Sequence, residues 1–138
     1  MTNWKVGDSA QMSKIVTTAD IETIAAVTLD TNPVHLDDGY AAGTIFGGRI
    51  AHGVLALGLI SAVLGTKIPG EGAIFRGHSA QFHLPVRPGD TITATATITR
   101  YDKGIMLLET VVTNQLGEQV VSGIAEIGYR PDKFLRKS

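Results

Sequence analysis

The sequence has no cysteine. That excludes a disulfide framework and a thiolate metal centre. It also has no apolar run close to the roughly 18 residues needed to span a bilayer. The opening stretch Met1-Thr2-Asn3-Trp4-Lys5 lacks the apolar core of a signal peptide. Twelve Lys and Arg stand against thirteen Asp and Glu, for a net charge of −1. No basic surface for nucleic acid is expected from that balance. The four histidines are dispersed without a ligand spacing, so no metal site is expected. No repeat, low-complexity segment or linker interrupts the 138 residues. The expectation is one soluble cytoplasmic domain spanning 1–138, long enough to bury a core.

What is present centres on Asp30-Thr31-Asn32-Pro33-Val34-His35. Pro33 lacks an N–H donor and pushes Asn32 towards an extended conformation. A helix arriving from the N-terminal side should stop near Asp30, followed by a taut loop. Such a loop can aim Asp30 and His35 at one point, with Asn32 as a hydrogen-bonding neighbour. An acid and an imidazole that converge on a water or substrate suit general acid–base chemistry. Taken alone, the same string also reads as a helix stop and a turn.

Along the chain, a first strand is expected from Ala10 to Val16. Thr17 or Thr18 then caps a helix, with Asp20 and Glu22 in its first turn. Ile21, Ile24, Ala25 and Thr28 follow helical spacing up to the Asp30 loop. Leu36 to Ala42 is at most a short second helix, and Gly43 to Arg49 is a glycine-rich approach. Gly53 to Leu64 is apolar on every face and predicts a helix buried all round, ended by Gly65. Gly58 within it suggests a close backbone approach. Its polar Ser61 either bonds back to the carbonyl of Leu57 or lines a site.

After Pro69-Gly70 the pattern is extended. A strand runs from Ala73 towards Val86. Strict alternation places Ile92, Ala94, Ala96 and Ile98 on one face, and the small alanines leave room for a helix. Asp102-Lys103-Gly104 and Leu116-Gly117-Glu118 turn the chain into two further strands, Ile105 to Asn114 and Gln119 to Tyr129. The result is an antiparallel meander. A buried helix followed by such a meander predicts an α+β hot-dog fold, an antiparallel β-sheet wrapped around a central buried α-helix.

Asp30-x-Asn32-Pro33-Val34-His35, then Ala41-Ala42, then Ile50-Ala51-His52-Gly53 resembles the hydratase 2 motif of the MaoC-like family. The resemblance covers nearly the whole chain. It departs at Leu29 and Thr31, neither of which carries the reaction. The resemblance implies the hot-dog fold and a hydro-lyase: (R)-specific hydration of trans-2-enoyl-CoA, with coenzyme A entering as part of the substrate and no separate cofactor. It also implies a homodimer, as the long sheet edges and exposed apolar flank of one curled sheet do.

Hydration of an enoyl thioester needs a water activator, a proton donor and an oxyanion stabiliser. Asp30 and His35 are the candidates for the first two, in either order, and Asn32 orients them. The Gly53 backbone N–H, at the start of the apolar helix, is the candidate oxyanion donor. The resemblance assigns it the same role. Ser61 and Leu64, at i and i+3, are candidates for binding the acyl chain. Leu64 would close the pocket, by resemblance. His52 is expected to orient its segment, and His78 and His83 to be surface or interface residues.

Three other functions are compatible with a hot-dog fold. A hot-dog thioesterase needs a carboxylate on or just before the central helix, and no Asp or Glu occurs between Asp38 and Glu71. A non-catalytic acyl-thioester-binding subunit has no need to keep Asp30, Asn32 and His35 together. A dehydratase acting on acyl carrier protein thioesters shares the phosphopantetheine arm and stays open. Lys67, Arg76, Arg87 and Lys103 are candidates for carrier phosphates, and equally ordinary surface charge.

Overall fold

A computed structural model describes residues 3–137; Met1, Thr2 and Ser138 lie outside the described residues. Five antiparallel strands form one sheet in the order β1-β3-β4-β5-β2. They are β1 (Ser9–Ile15), β2 (Ala73–Phe82), β3 (Thr91–Asp102), β4 (Ile105–Thr113) and β5 (Gln119–Tyr129). The helices are α1 (Thr18–Thr28), α2 (Pro33–Leu36), α3 (Asp38–Ala42), α4 (Gly53–Thr66) and α5 (Pro131–Phe134). This is the expected hot-dog arrangement, with α4 against the inner face of the curled sheet.

The alternation in β3 sets that packing. Ile92, Ala94, Ala96 and Ile98 are all essentially inaccessible, and the alternate threonines face outward. From the helix, Leu55, Ala56, Ile60, Val63 and Leu64 meet them. Fully burying each large aliphatic side chain contributes about 1.5–3 kcal/mol. The β3–β4 hairpin closes through Lys103 and Gly104, both at positive φ (52° and 77°). Paired positive φ values are what a two-residue hairpin turn requires, and glycine meets them at least cost.

Four details differ from the expectation. First, α4 runs to Thr66, so Gly65 is a helical residue and no C′ glycine ends the helix there. Second, α4 is not buried all round: Val54, Gly58 and Ser61 face outward. Nothing lies within 4 Å of a Cβ placed on Gly58, so its suggested close approach is not made within one chain. An all-apolar helix reports the average burial of its setting and does not say which flank a single sheet leaves open. Third, Leu36–Ala42 is not one helix. Asp37 ends α2 and caps α3, its carboxylate accepting from the Tyr40 N–H at 2.9 Å. Fourth, β2 stops at Phe82, because His83 and Leu84 turn away beside Val120. No helix among the described residues is long and apolar enough to cross a membrane.

Candidate active site

The site begins where α1 ends. Leu29 adopts a left-handed conformation (φ 66°), and the Thr28 hydroxyl accepts from the Asp30 N–H at 3.2 Å. The chain then advances by two Asx turns. Asp30 Oδ1 accepts from the Asn32 N–H and Asn32 Oδ1 from the Val34 N–H, each at 3.2 Å. Pro33 occupies the first position of α2, where a missing N–H costs nothing. His35 therefore stands on a short helical turn, where a taut loop was expected. The Asn32 side chain is used as the cap of that turn, so it orients His35 through the backbone.

His35 is 8% exposed and held at both ends. Its Nδ1 lies 2.7 Å from the Ile50 carbonyl oxygen. A carbonyl can only accept, so Nδ1 carries the hydrogen and Nε2 is left for chemistry. The His35 carbonyl in turn accepts from Arg49 Nε at 2.7 Å. Nε2 faces Asp30 Oδ2 across 4.0 Å. That is too long for a direct hydrogen bond, and it is a gap that one water oxygen can bridge. The Asp30 side chain is half exposed, whereas that of His35 is nearly covered.

The partner segment 49–53 runs alongside. The Ile50 N–H reaches the Val34 carbonyl at 3.3 Å, and the Ala51 N–H reaches that of Val86 at 2.7 Å. His52 follows, 3% exposed, with Nε2 2.9 Å from the Asp30 carbonyl oxygen. Its ring stacks on His35, with centroids 3.7 Å apart. Gly53 opens α4, and its N–H has no partner among the described residues. It lines an apolar cleft of about 310 Å³ together with Ala51, His52, Ala56, Phe82 and Val121. Neither Asp30 nor His35 lines that cleft; His52 lines it and touches both. The acid and the imidazole thus face each other on one side of His52, and the helix-terminal N–H of Gly53 follows His52 on the wall of the apolar cleft.

The sequence profile of the MaoC like domain matches residues 5–120. The chain belongs to the MaoC-like family. This MaoC-like chain is 45% identical over 125 residues to an (R)-specific enoyl-CoA hydratase of Rhodospirillum rubrum, covering 89% of this chain and 86% of that one. It is 42% identical over 125 residues to the (R)-specific enoyl-CoA hydratase of Aeromonas caviae, covering 89% and 93%. Among solved structures it resembles the (R)-hydratase from A. caviae involved in PHA biosynthesis. There the TM-score is 0.89 at 39% identity, over 94% of this chain and all of that one.

The remaining residues read from the MaoC-like sequence divide. Ser61 is exposed, and no hydrogen bond from its hydroxyl to Leu57 is found among the described residues. Leu64 is 1% exposed within the core. Neither lines the cleft of the single chain. His78 faces inward, its Nε2 2.9 Å from the buried Thr110 hydroxyl. His83 is exposed at the cleft, 2.7 Å from the Ser122 hydroxyl. Arg76 is paired with Glu126 at 3.0 Å, and Lys67, Arg87 and Lys103 are exposed.

Asp30, His35 and His52 offer ligand-type atoms within 4.8 Å of one another. The geometry disfavours a metal. His52 donates Nε2–H to the Asp30 carbonyl, and stacked imidazoles send their in-plane lone pairs side by side, where a tetrahedral ion needs them to converge.

Two features of the candidate site escape the sequence pattern. Arg49 has a side chain only 11% exposed and approaches Glu22 and Asp38 while holding the His35 carbonyl. It is the single charge between Asp38 and Lys67, which was the available signal. Phe82 covers Gly53 from a strand 29 residues away, and nothing local announces that.

Proposed function

We propose that this protein is an (R)-specific enoyl-CoA hydratase, adding water reversibly to short- and medium-chain trans-2-enoyl-CoA. The observation that carries the proposal is the 4.0 Å gap between Asp30 Oδ2 and His35 Nε2. It is supported by 45% and 42% identity to proteins named for that reaction.

The chemistry follows from the geometry. Water held in the gap loses a proton to one member of the pair as its oxygen bonds to C3. The other member starts with the one proton that the pair holds between them and delivers it to C2, so the pair ends with its proton on the first member. Charge that grows on the thioester oxygen in between is met by the Gly53 N–H, fixed at a helix N-terminus and needing no reorganisation. With its Nδ1–H tied to Ile50, His35 works through Nε2 alone. Both groups approach one face of the flat enoyl unit, so the addition is syn. The steps are proton transfers and charge stabilisation, so no cofactor beyond the coenzyme A of the substrate is required. Chain 1–138 acts as one domain, and the acyl chain enters the apolar cleft beside Gly53.

A homodimer is part of the proposal. β2 is an edge strand, and Phe75, Phe82 and Val54 leave an apolar flank exposed between it and α4. A second copy would cover that flank.

The test is hydration of crotonyl-CoA followed at the enoyl thioester absorbance, with chiral analysis of the product. Turnover to (R)-3-hydroxybutyryl-CoA is expected, faster than with the corresponding acyl carrier protein thioester. No turnover, or the (S) product, contradicts the proposal; a preference for the carrier protein makes this a dehydratase of that pathway type.

A further inference from the structure

We infer that His52 is a positioning residue of the hydration, a platform that holds both members of the catalytic pair without exchanging a proton itself. The inference rests on the hydratase proposal. Three contacts carry it. The His52 ring lies face to face with His35, centroids 3.7 Å apart and planes 26° apart. Its Nε2 is 2.9 Å from the Asp30 carbonyl oxygen. Its backbone leads directly into Gly53 and the first turn of α4. One side chain therefore touches the acid through its main chain and the imidazole through its face, and sits beside the oxyanion donor.

The hydrogen placement on His52 is fixed by its surroundings. The Asp30 carbonyl can only accept, so Nε2 carries the hydrogen. Nδ1 is buried and has no partner among the described residues, so it is the bare nitrogen. His52 is thus the opposite tautomer to His35, whose hydrogen is on Nδ1. With one nitrogen committed to a carbonyl and the other enclosed, His52 has no route for a proton to the reacting carbons. What it supplies is placement. The 4.0 Å gap works only if Asp30 cannot drift along its Asx turns and the His35 ring cannot rotate about its bond to Ile50. His52 blocks both movements, as a rigid supporting contact should.

Two measurements on the full chain test this. The first needs no variant: nitrogen-15 NMR of the imidazoles in the wild-type protein. His52 is expected as the Nε2–H tautomer and His35 as the Nδ1–H tautomer. A Nδ1–H His52 overturns the inference, whatever the protein catalyses. The second separates the two contacts. His52→Phe keeps the stacked face and loses the donor; His52→Gln keeps an N–H at the place of Nε2 and loses the face. Both should lower kcat for crotonyl-CoA with KM little changed, and His52→Ala should lower it further, by about 10²-fold in all, the usual cost of a 1 Å misplacement. In a His35→Ala background the same changes should cost little more, because groups acting as a unit are lost together. Folded variants with wild-type kcat, or losses that multiply in that background, overturn the inference. If the wild-type protein does not hydrate crotonyl-CoA, the hydratase proposal fails and the tautomer result still stands on its own.

Discussion

The Cε1 atom of Phe82 lies 2.7 Å from where a Cβ on Gly53 would stand. A Cβ on Gly53 would have to push aside the end of the exposed Phe82 ring, and the Gly53 N–H opens on the cleft. This separates two effects of substitution. Gly53→Ala adds the Cβ, keeps the N–H and must displace the Phe82 ring. Gly53→Pro adds the same crowding and removes the donor; proline is tolerated at the first helical position, and His52, at φ −62° and ψ 139°, already has the conformation that precedes it. The kcat of Gly53→Pro should fall about 10²–10³-fold below that of Gly53→Ala, the range for one oxyanion donor. Equal rates for the two variants would remove the N–H from the mechanism.

Leu64→Ala should destabilise the fold by about 2–5 kcal/mol, since a fully covered leucine becomes a cavity. Denaturant unfolding measures this. If Leu64 also floors the acyl site, the same variant raises kcat/KM for longer enoyl-CoAs relative to crotonyl-CoA. Lost stability with an unchanged profile assigns Leu64 to the core alone.

Thr17 and Asp20 form a capping box at the start of α1: Asp20 Oδ2 accepts from the Thr17 N–H at 2.9 Å, and Thr17 Oγ1 from the Asp20 N–H at 3.0 Å. Thr17→Ala should cost about 1 kcal/mol. The bond from the Thr17 N–H lowers the Asp20 carboxyl below its ordinary value of 3.8, with the 3.0 Å contact to Lys14 adding to it. A lowered carboxyl stabilises the fold above its unfolded value and loses that contribution as pH falls through the folded value. The stability difference between wild type and Asp20→Asn should therefore be present at pH 7 and shrink below pH 4, as thermal melts across that range would show.

Burial lowers the His78 imidazole from its ordinary 6.5. As pH falls below about 6.5 the unfolded chain takes up a proton that the native chain still refuses, so stability declines with acidification. Tm measured between pH 7.5 and 5.5 should fall less in His78→Gln than in wild type. Identical slopes would place the acid sensitivity elsewhere.

The fold was legible wherever the chain repeats a period. Strict alternation from Ile92 to Ile98 announced an inner face, and it is fully buried. Thr17 or Thr18 announced a cap ahead of Asp20 and Glu22, and Thr17 is the residue that takes it. The ends and flanks were less legible. Gly65 looks like a helix stop in sequence, yet the ladder continues through it to Thr66. The outward flank of α4, with Val54, Gly58 and Ser61, carries no charge that would mark it as exposed. At the site, Asp30 and His35 share one short stretch, so their approach could be anticipated. The stack of His52 on His35 joins residues 17 apart, and the Phe82 cover joins residues 29 apart. Such contacts are set by how the segments pack, which no local pattern encodes.

The central claim is that Asp30 and His35 act as one catalytic pair, and the most direct measurement is kcat for crotonyl-CoA in Asp30→Asn, His35→Ala and the double variant, each checked by thermal unfolding. Asp30→Asn keeps the shape and removes the ionisable group; His35→Ala removes Nε2. Each single variant should lose about 10²–10⁴-fold with the fold retained. The double variant should be little worse than the poorer single one, and wild type should yield the (R) product. A folded Asp30→Asn that hydrates crotonyl-CoA at near wild-type rate would contradict the account.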